Sequence, residues 1–213
     1  MKDKPLINII TRTSNRPNYF NRCISSIREQ SYKNIRHIVS VDDDITENYV
    51  KEYDVEYYRV NKQDIIKSPQ IHRRIAPYNL YLNELKSKVI DGWILYLDDD
   101  DEFTSIDSVS NIVNNINDDN DLLLWKVKFP TVIIPEHDFF INKTIAACHI
   151  SMIGFMYHHK HDRDILFDGY TLGDFTFIKK LEPKIPKKIW IDQIYTKIQR
   201  NNNMGGYGKR DDK

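Results

Sequence analysis

Short, largely apolar runs alternate with segments of helical spacing over residues 6–129. Such runs are typical of strands that are buried on both faces of a parallel sheet. Alternation of these strands with helices is typical of an α/β domain, with a mostly parallel central sheet and helices on both faces. The pattern predicts strands over 6–10, 37–41, 55–60, 93–97 and 122–129.

Helical spacing fills the gaps between these strands. Apolar residues at i, i+3, i+4 and i+7 predict a helix that begins near Pro17, a residue suited to a first helical turn. A short helix is expected over 45–53. The segment 71–89 also has helical spacing, but it contains Pro77, so a kink or a late start is expected there.

The second half of the chain is less regular. Thr104-Ser-Ile-Asp107 resembles a capping box and predicts a helix that has Ile106 on its inner face. Further strands are predicted over 131–134, 150–157 and 188–198, and a further helix over 173–181. We expect one domain over 1–200. Residues 201–213, rich in Asn, Gly and charge, are expected to form a flexible tail or a linker to further C-terminal domains.

Four adjacent carboxylates, Asp98 to Asp101, follow the apolar run WILYL. In an extended segment alternate side chains point the same way, so Asp98 and Asp100 share one side. Close carboxylates repel one another where water is excluded, and a divalent cation with oxygen ligands would relieve this repulsion. The alternative is a solvated acidic turn.

Three predicted strands end in polar groups: Thr11 and Arg12, Asp42 and Asp43, and Asp98 to Asp101. Ligands of open α/β sheets bind beyond the carboxyl ends of the strands. The three clusters are therefore expected to line one cleft.

Composition narrows the choice of partners. Lys+Arg and Asp+Glu balance at 31 each, so global charge gives no reason to expect nucleic acid or a membrane surface as a partner. No apolar stretch reaches the roughly 18 residues of a membrane span, and two cysteines form no disulfide framework. These features predict a soluble, cytoplasmic protein. No glycine-rich phosphate loop is present.

The opening strand running into Thr11, VSVDD at 39–43, LDDDD at 97–101 and Gly173-Asp174 before FTFIKKL together resemble the motifs of family 2 glycosyltransferases, which have the GT-A fold. The resemblance covers residues 5–200. It implies one catalytic domain over 1–200, with a nucleotide-binding half (1–103) and an acceptor-side half (104–200). It implies metal-dependent, inverting transfer of a sugar from a UDP-sugar donor to a glycan or glycoprotein acceptor, with Mn²⁺ or Mg²⁺ as the cofactor. The chain departs from the pattern at Gly173, where the family usually has Glu.

The resemblance also implies roles for the acidic residues. Asp100 would hold the metal that bridges the two phosphates of the donor, with Asp98 nearby and Asp99 facing the ribose. Asp174 would be the general base that takes the proton from the acceptor hydroxyl. The alternative for Asp174 is an ordinary acidic residue at the start of a helix.

The remaining site residues implied by the resemblance contact the nucleotide. Asp43 would accept a hydrogen bond from the uracil N–H, and Thr11 and Arg12 would frame the nucleotide. Arg73 or Arg74, on the helix predicted over 71–89, would approach the base or the diphosphate. The alternatives are a plain turn at Asp43 and a solvated helix face at the two arginines.

Other interpretations remain open at this point. Two of them are a sugar nucleotidyltransferase, which would normally have a glycine-rich loop after the first strand, and a non-catalytic, metal-dependent glycan-binding module. Adjacent histidines on a strand point to opposite faces, so at most His159 and His161 of YHHKH could share a ligand. This run is interpreted as structural or acceptor-lining. The compact, Asn/Lys/Ile-rich chain is also similar to virus-encoded transferases that glycosylate capsid proteins.

Overall fold

The computed structural model describes residues 4–66, 68 and 70–199. The tail predicted over 201–213 lies outside the described residues. The strands are β1 (Ile7–Arg12), β2 (Ile35–Val41), β3 (Glu56–Arg59), β4 (Trp93–Tyr96), β5 (Asp101–Phe103), β6 (Asp121–Lys128), β7 (Ile133–Ile134), β8 (Phe155–His158) and β9 (Lys187–Ile198). The helices are α1 (Pro17–Arg28), α2 (Asp44–Val50), α3 (Tyr81–Lys86), α4 (Ser108–Val113), α5 (His137–Ile141) and α6 (Gly173–Leu181).

The described strands form one mixed sheet in the order β3-β2-β1-β4-β8-β6-β9-β5, with β7 paired to β6. β1 to β4 run parallel to one another, and β6 and β9 share their direction. β8 runs antiparallel between β4 and β6, while β5 and β7 are short antiparallel strands. The predicted class, an α/β domain with a mostly parallel sheet, is confirmed.

Both faces of the central strands are buried, which explains their continuous apolar runs. Trp93 and Leu95 of β4 pack on one face with residues of α1 and α4, whereas Ile94 and Tyr96 pack on the other face with residues of α3 and α6. Helices therefore cover the sheet on both sides. In the described part of the chain, no helix combines the length and the apolar character that a bilayer crossing requires.

The structure shows the late helix start that was expected at Pro77, and it corrects two other predictions. Between 71 and 76 the chain is not helical, because regular structure begins only with a 3₁₀ turn at Pro77–Leu80 that leads into α3. Arg73 and Arg74 therefore do not lie on a helix. The capping box is also wrong: α4 begins at Ser108, Thr104 Oγ1 instead donates to Ile194 O at 2.8 Å, and Ile106 is 56% exposed.

The acidic run does not end in a solvated turn, which was the alternative interpretation of its composition. Asp101 to Phe103 form β5, which pairs with the end of β9. Gln199 strengthens this connection, since its backbone N–H donates to Asp100 O at 2.8 Å and its side chain donates to Asp101 O at 3.1 Å. The C-terminal strand thus holds the acidic segment in place.

Candidate active site

A cleft of about 720 Å³ opens beyond the carboxyl ends of β1, β2 and β4. Residues from several separate elements line it because parallel strands end at the same edge of the sheet. Its charged and polar lining includes Arg12, Thr13, Arg16, Asp42, Asp43, Lys62, Asn79, Asp98, Asp99, Asp100, Asp101 and Asp174. Acidic groups from two predicted strand ends and from the α6 N-terminus therefore share one cavity with Arg12, which ends the third strand.

Arg12, the last residue of β1, links two parts of the cleft. Its Nε donates to Asp98 Oδ1 at 2.9 Å, a second guanidinium nitrogen pairs with Asp98 Oδ2, and Nη1 donates to Asn79 Oδ1 at 2.8 Å. The guanidinium also stacks over the ring of Tyr78, 5.2 Å from its centroid. Burial opposes the charge of Arg12, but Asp98 outweighs it and raises the pKa of the guanidinium.

Arg16, which precedes α1, pairs with the next two aspartates. Its Nη1 lies 2.9 Å from Asp99 Oδ1 and 3.6 Å from Asp100 Oδ2. Asp99 is almost fully buried, and burial raises its pKa to about 7 even though Arg16 acts in the opposite direction. The two arginines thus hold Asp98 and Asp99 most closely. The ion pair between Arg16 and Asp100 is longer than the pair between Arg16 and Asp99.

Asp43 is the N-cap of α2. Its Oδ1 accepts from the backbone N–H of Thr46 at 2.7 Å, which satisfies one of the unpaired donors of the first helical turn. Asp42, beside it, lies 3.4 Å from the hydroxyl of Tyr81. The turn after β2 is therefore fixed by helix capping while it presents carboxylates to the cleft.

Asp174 lies in the first turn of α6 and lines the cleft. Its Oδ1 accepts from the N–H of Phe175 at 2.8 Å. Burial raises the pKa of Asp174, and the nearby Arg12 lowers it only in part. Leu172, the residue before Gly173, has a φ of 62°, which is unusual for a side chain of this size. Strained backbone of this kind clusters at functional sites.

Three predicted site residues do not line the cleft. Thr11 is fully buried beneath it, and its hydroxyl donates to Leu97 O at 2.7 Å. Arg73 forms a bidentate pair with Asp168 at 2.7 and 3.1 Å and donates to the carbonyl of Thr171, a lining residue. Arg74 is exposed, and its backbone N–H donates to Thr171 Oγ1 at 3.3 Å.

The donor set of the cleft suits a hard divalent cation. Seven lining carboxylates (Asp42, Asp43, Asp98 to Asp101, and Asp174) face three lining cations (Arg12, Arg16 and Lys62). This excess of negative charge favours a bound cation, and Mn²⁺ and Mg²⁺ prefer oxygen ligands of this type.

The sequence profile of glycosyl transferase family 2 matches residues 8–129, more than half of the chain. The matched segment contains β1, β2, β4 and all four adjacent aspartates. The chain belongs to glycosyl transferase family 2. The predicted family is confirmed. No curated protein sequence matches the chain significantly.

Solved structures share the fold of this family 2 chain. S. aureus TarS superposes with a TM-score of 0.69 at 14% identity, over 93% of this chain and 37% of TarS. TarS 1-349 in complex with UDP-GlcNAc superposes with a TM-score of 0.67 at 17% identity, over 92% of this chain and 59% of TarS 1-349. The mannosyltransferase PcManGT from Pyrobaculum calidifontis, in complex with GDP-Man and Mn²⁺, superposes with a TM-score of 0.68 at 14% identity, over 94% of this chain and 59% of PcManGT. The chain therefore spans less than two thirds of each of these proteins.

Sequence reasoning missed several residues that line the cleft. Arg16 could have been found, since it is a cation within a few residues of the β1 end. Tyr78, Asn79 and Tyr81 carried no such signal, because the 71–89 spacing was read only as an apolar helix face. They reach the cleft because the chain turns at Pro77 beneath β1 and β2.

The histidine prediction is wrong. His158 ends β8 and His159 opens a 3₁₀ turn, so the two rings lie on the same side, with centroids 4.8 Å apart. His161 points elsewhere, and its Nε2 contacts Asp119 O at 2.8 Å.

Proposed function

We propose that this enzyme moves a sugar from a UDP-sugar donor to a hydroxyl of a glycan or glycoprotein, with inversion at the anomeric carbon and dependence on Mn²⁺ or Mg²⁺. One observation carries the proposal: Asp43, Asp100 and Asp174, which come from three separate elements, line one cleft together with the arginine-held Asp98 and Asp99. The family match favours this activity over the nucleotidyltransferase and the glycan-binding module.

Asp174 is the proposed general base. It would take the proton of the acceptor hydroxyl while the acceptor oxygen bonds to the anomeric carbon and the bond to the diphosphate breaks. A raised pKa suits this role, because a base works best when its pKa approaches the operating pH. The proposed acceptor side of the cleft is formed by Phe129, Ser151, Met152, Ile153 and Ile198 of the acceptor-side half.

Asp100, with Asp98, is the proposed metal-binding residue. A divalent cation at these carboxylates would stabilise the charge of the departing nucleoside diphosphate. Arg12 holds Asp98 in position, and Arg16 does the same for Asp99, the proposed ribose contact. The two arginines therefore act as positioning residues and leave net negative charge for a cation.

Asp43 is the proposed acceptor of the uracil N–H. Its helix-cap bond engages Oδ1 and fixes the direction of the carboxylate. Arg12 would approach the nucleotide from the end of β1, with Thr11 supporting it from below. Arg73 and Arg74 are proposed to act on the donor through Thr171, since both contact this lining residue. The similar structures bound to UDP-GlcNAc and to GDP-Man make the base of the nucleotide the point to test.

The experiment measures donor hydrolysis and transfer for UDP- and GDP-sugars with and without Mn²⁺. We expect activity with a UDP-sugar and Mn²⁺, loss of metal-dependent turnover in Asp100→Asn, and a kcat lowered by about 10²–10⁴-fold in Asp174→Asn. Asp54→Asn, an exposed carboxylate on another surface, is the matched control and should behave as wild type. Wild-type turnover in both cleft variants would refute the proposal.

A further inference from the structure

A second group of potential metal ligands lies at the opposite end of β4 from the cleft. Asp91 precedes this strand, and His158 pairs with Trp93 at its first residue. We propose that Asp91, His158 and His159 bind a divalent cation of the Zn²⁺ class, which joins the end of β8 to the loop that enters β4. This site is separate from the proposed catalytic metal and does not rest on the proposed function.

The three side chains converge without bonding directly to one another. One ligand atom from each lies within 4.8 Å of those of the other two. His158 Nε2 is 3.9 Å from Asp91 Oδ1 and 4.0 Å from Asp119 Oδ2, beyond hydrogen-bond range. Two ligands on one tetrahedral Zn²⁺ with bonds of about 2.1 Å are about 3.4 Å apart. A small closing movement of these side chains, of which Asp91 is exposed, would complete the site, and the Asp119 carboxylate lies beside His158.

The ring orientation of His159 suits metal binding. Its Nδ1 lies 3.3 Å from Gly92 O, and its backbone N–H donates to the same carbonyl at 3.0 Å. Donation from Nδ1 to a backbone carbonyl leaves the lone pair on Nε2. Metal-bound histidines commonly use this arrangement, in which the second nitrogen is fixed by a carbonyl or a carboxylate.

The backbone that carries Asp91 is held in place. Gly92 has a φ of 88°, and a Cβ there would lie 2.5 Å from Leu6 O. The buried Asn8 donates from its Nδ2 to Asp91 O at 2.8 Å. The turn before β4 is thus specified by packing against β1, and it presents the Asp91 carboxylate beside the histidines.

The ring of His158 is held by packing, because it lies edge-on against Trp93 with centroids 5.8 Å apart. Binding at Nε2 moves the ring proton to Nδ1, so the 3.4 Å contact from the Lys160 N–H to Nδ1 has to open. This contact is long for a hydrogen bond, and its loss costs little.

The ligand types separate the two sites chemically. Two imidazoles and a carboxylate favour Zn²⁺, Ni²⁺ or Co²⁺, whereas the oxygen-only cleft favours Mg²⁺ and Mn²⁺. Zn²⁺ titration in excess Mg²⁺ therefore reports on the histidine site, and the Asp100→Asn variant should bind this Zn²⁺ as wild type does.

The experiment is calorimetric titration of the full chain with Zn²⁺ in excess Mg²⁺, together with the thermal unfolding midpoint. We expect one equivalent to bind with a dissociation constant below about 10 μM and to raise the midpoint, because the ligand binds the folded state. His159→Ala and Asp91→Asn should each weaken binding by at least about tenfold. Asp91 is exposed and His159 is half-buried, so these variants should keep the fold, which circular dichroism without Zn²⁺ checks.

His72→Ala is the matched control, since His72 is exposed and lies in another segment. It should bind Zn²⁺ as wild type does. The proposal is overturned if wild type retains no Zn²⁺ under these conditions, or if His159→Ala and Asp91→Asn bind it as tightly as wild type. Neither result would bear on the cleft, because sugar transfer is measured separately.

Discussion

Gly173 allows Asn79 to reach the centre of the cleft. A Cβ at position 173 would lie 2.4 Å from Asn79 Nδ2, so any side chain there would displace this amide. Asn79 Nδ2 donates to Tyr170 O at 2.7 Å, and its Oδ1 accepts from Arg12. Arg12 in turn holds Asp98. The departure from the usual Glu at position 173 therefore accompanies a specific set of hydrogen bonds that positions the acidic residues.

The ionisation of Asp174 gives a pH prediction. A general base acts in its ionised form, so kcat should fall as pH drops through the pKa of Asp174. Because burial raises this pKa, the acid limb should lie above the ordinary Asp value of about 3.9. The measurement is kcat against pH with saturating donor and metal.

Asp99→Asn is the control for this profile, since the pKa of Asp99 is raised to about 7 and could produce a limb of its own. The variant should keep the acid limb that belongs to Asp174. An acid limb that vanishes in Asp99→Asn would assign the titration to Asp99 instead.

At the scale of elements, the residue that caps α2 is also the one proposed to recognise the nucleotide. Asp43 ends the turn after β2, caps the helix through Thr46 N and lines the cleft. An acidic residue at this position also interacts favourably with the partial positive charge of the helix N-terminus. One side chain therefore serves both stability and the proposed contact with uracil.

Two substitutions at Asp43 separate these roles. Asp43→Asn keeps a good N-cap, so the free energy of unfolding should change by only a few tenths of a kcal/mol, whereas Asp43→Ala should lose about 1 kcal/mol. Both should weaken UDP binding by about tenfold or more, since each removes a charged acceptor. Denaturant unfolding and calorimetry with UDP and Mn²⁺ provide the two measurements. Unchanged UDP affinity in both variants would limit Asp43 to capping.

At the scale of the whole molecule, the cleft exists only when distant segments are assembled. Arg12 meets Asp98 from 86 residues away, and Gln199, which follows β9, holds Asp101 across 98 residues. The repulsion among the carboxylates is a cost of this assembly, and a bound cation would offset it.

Donor binding should therefore stabilise the whole fold. A ligand that binds only the folded state adds about 2.7 kcal/mol at a hundred times its dissociation constant. We expect UDP with Mn²⁺ to raise the thermal unfolding midpoint, and either component alone, or GDP with Mn²⁺, to raise it less. Asp100→Asn should abolish the cooperative effect of metal and nucleotide. Equal shifts with UDP and GDP would remove the argument for a uridine donor.

The sequence by itself determined the central strands, α1 and α6. Residues such as Ile9, Leu95 and Phe177 are buried on one face or the other of a covered sheet, and that burial is written locally in apolar spacing. The acidic groups at the strand ends could also be predicted from the local sequence, because they directly follow the apolar runs. The parallel sheet brings them to one edge. The prediction for 71–89 was wrong for its first part, 71–76, because apolar spacing also fits an irregular segment that packs across the sheet.

Only the tertiary structure decided which charges meet. Arg16 forms an ion pair with Asp99, and Arg73 forms one with Asp168. The ring of His159 lies beside the ring of His158 and not beside that of His161. Pairs such as Arg16 with Asp99 depend on strand register and on turns such as Pro77, which place side chains from remote segments within a few ångströms. Local patterns record whether a residue is buried, but the partner of a charged group is fixed by distances between elements that no local pattern contains.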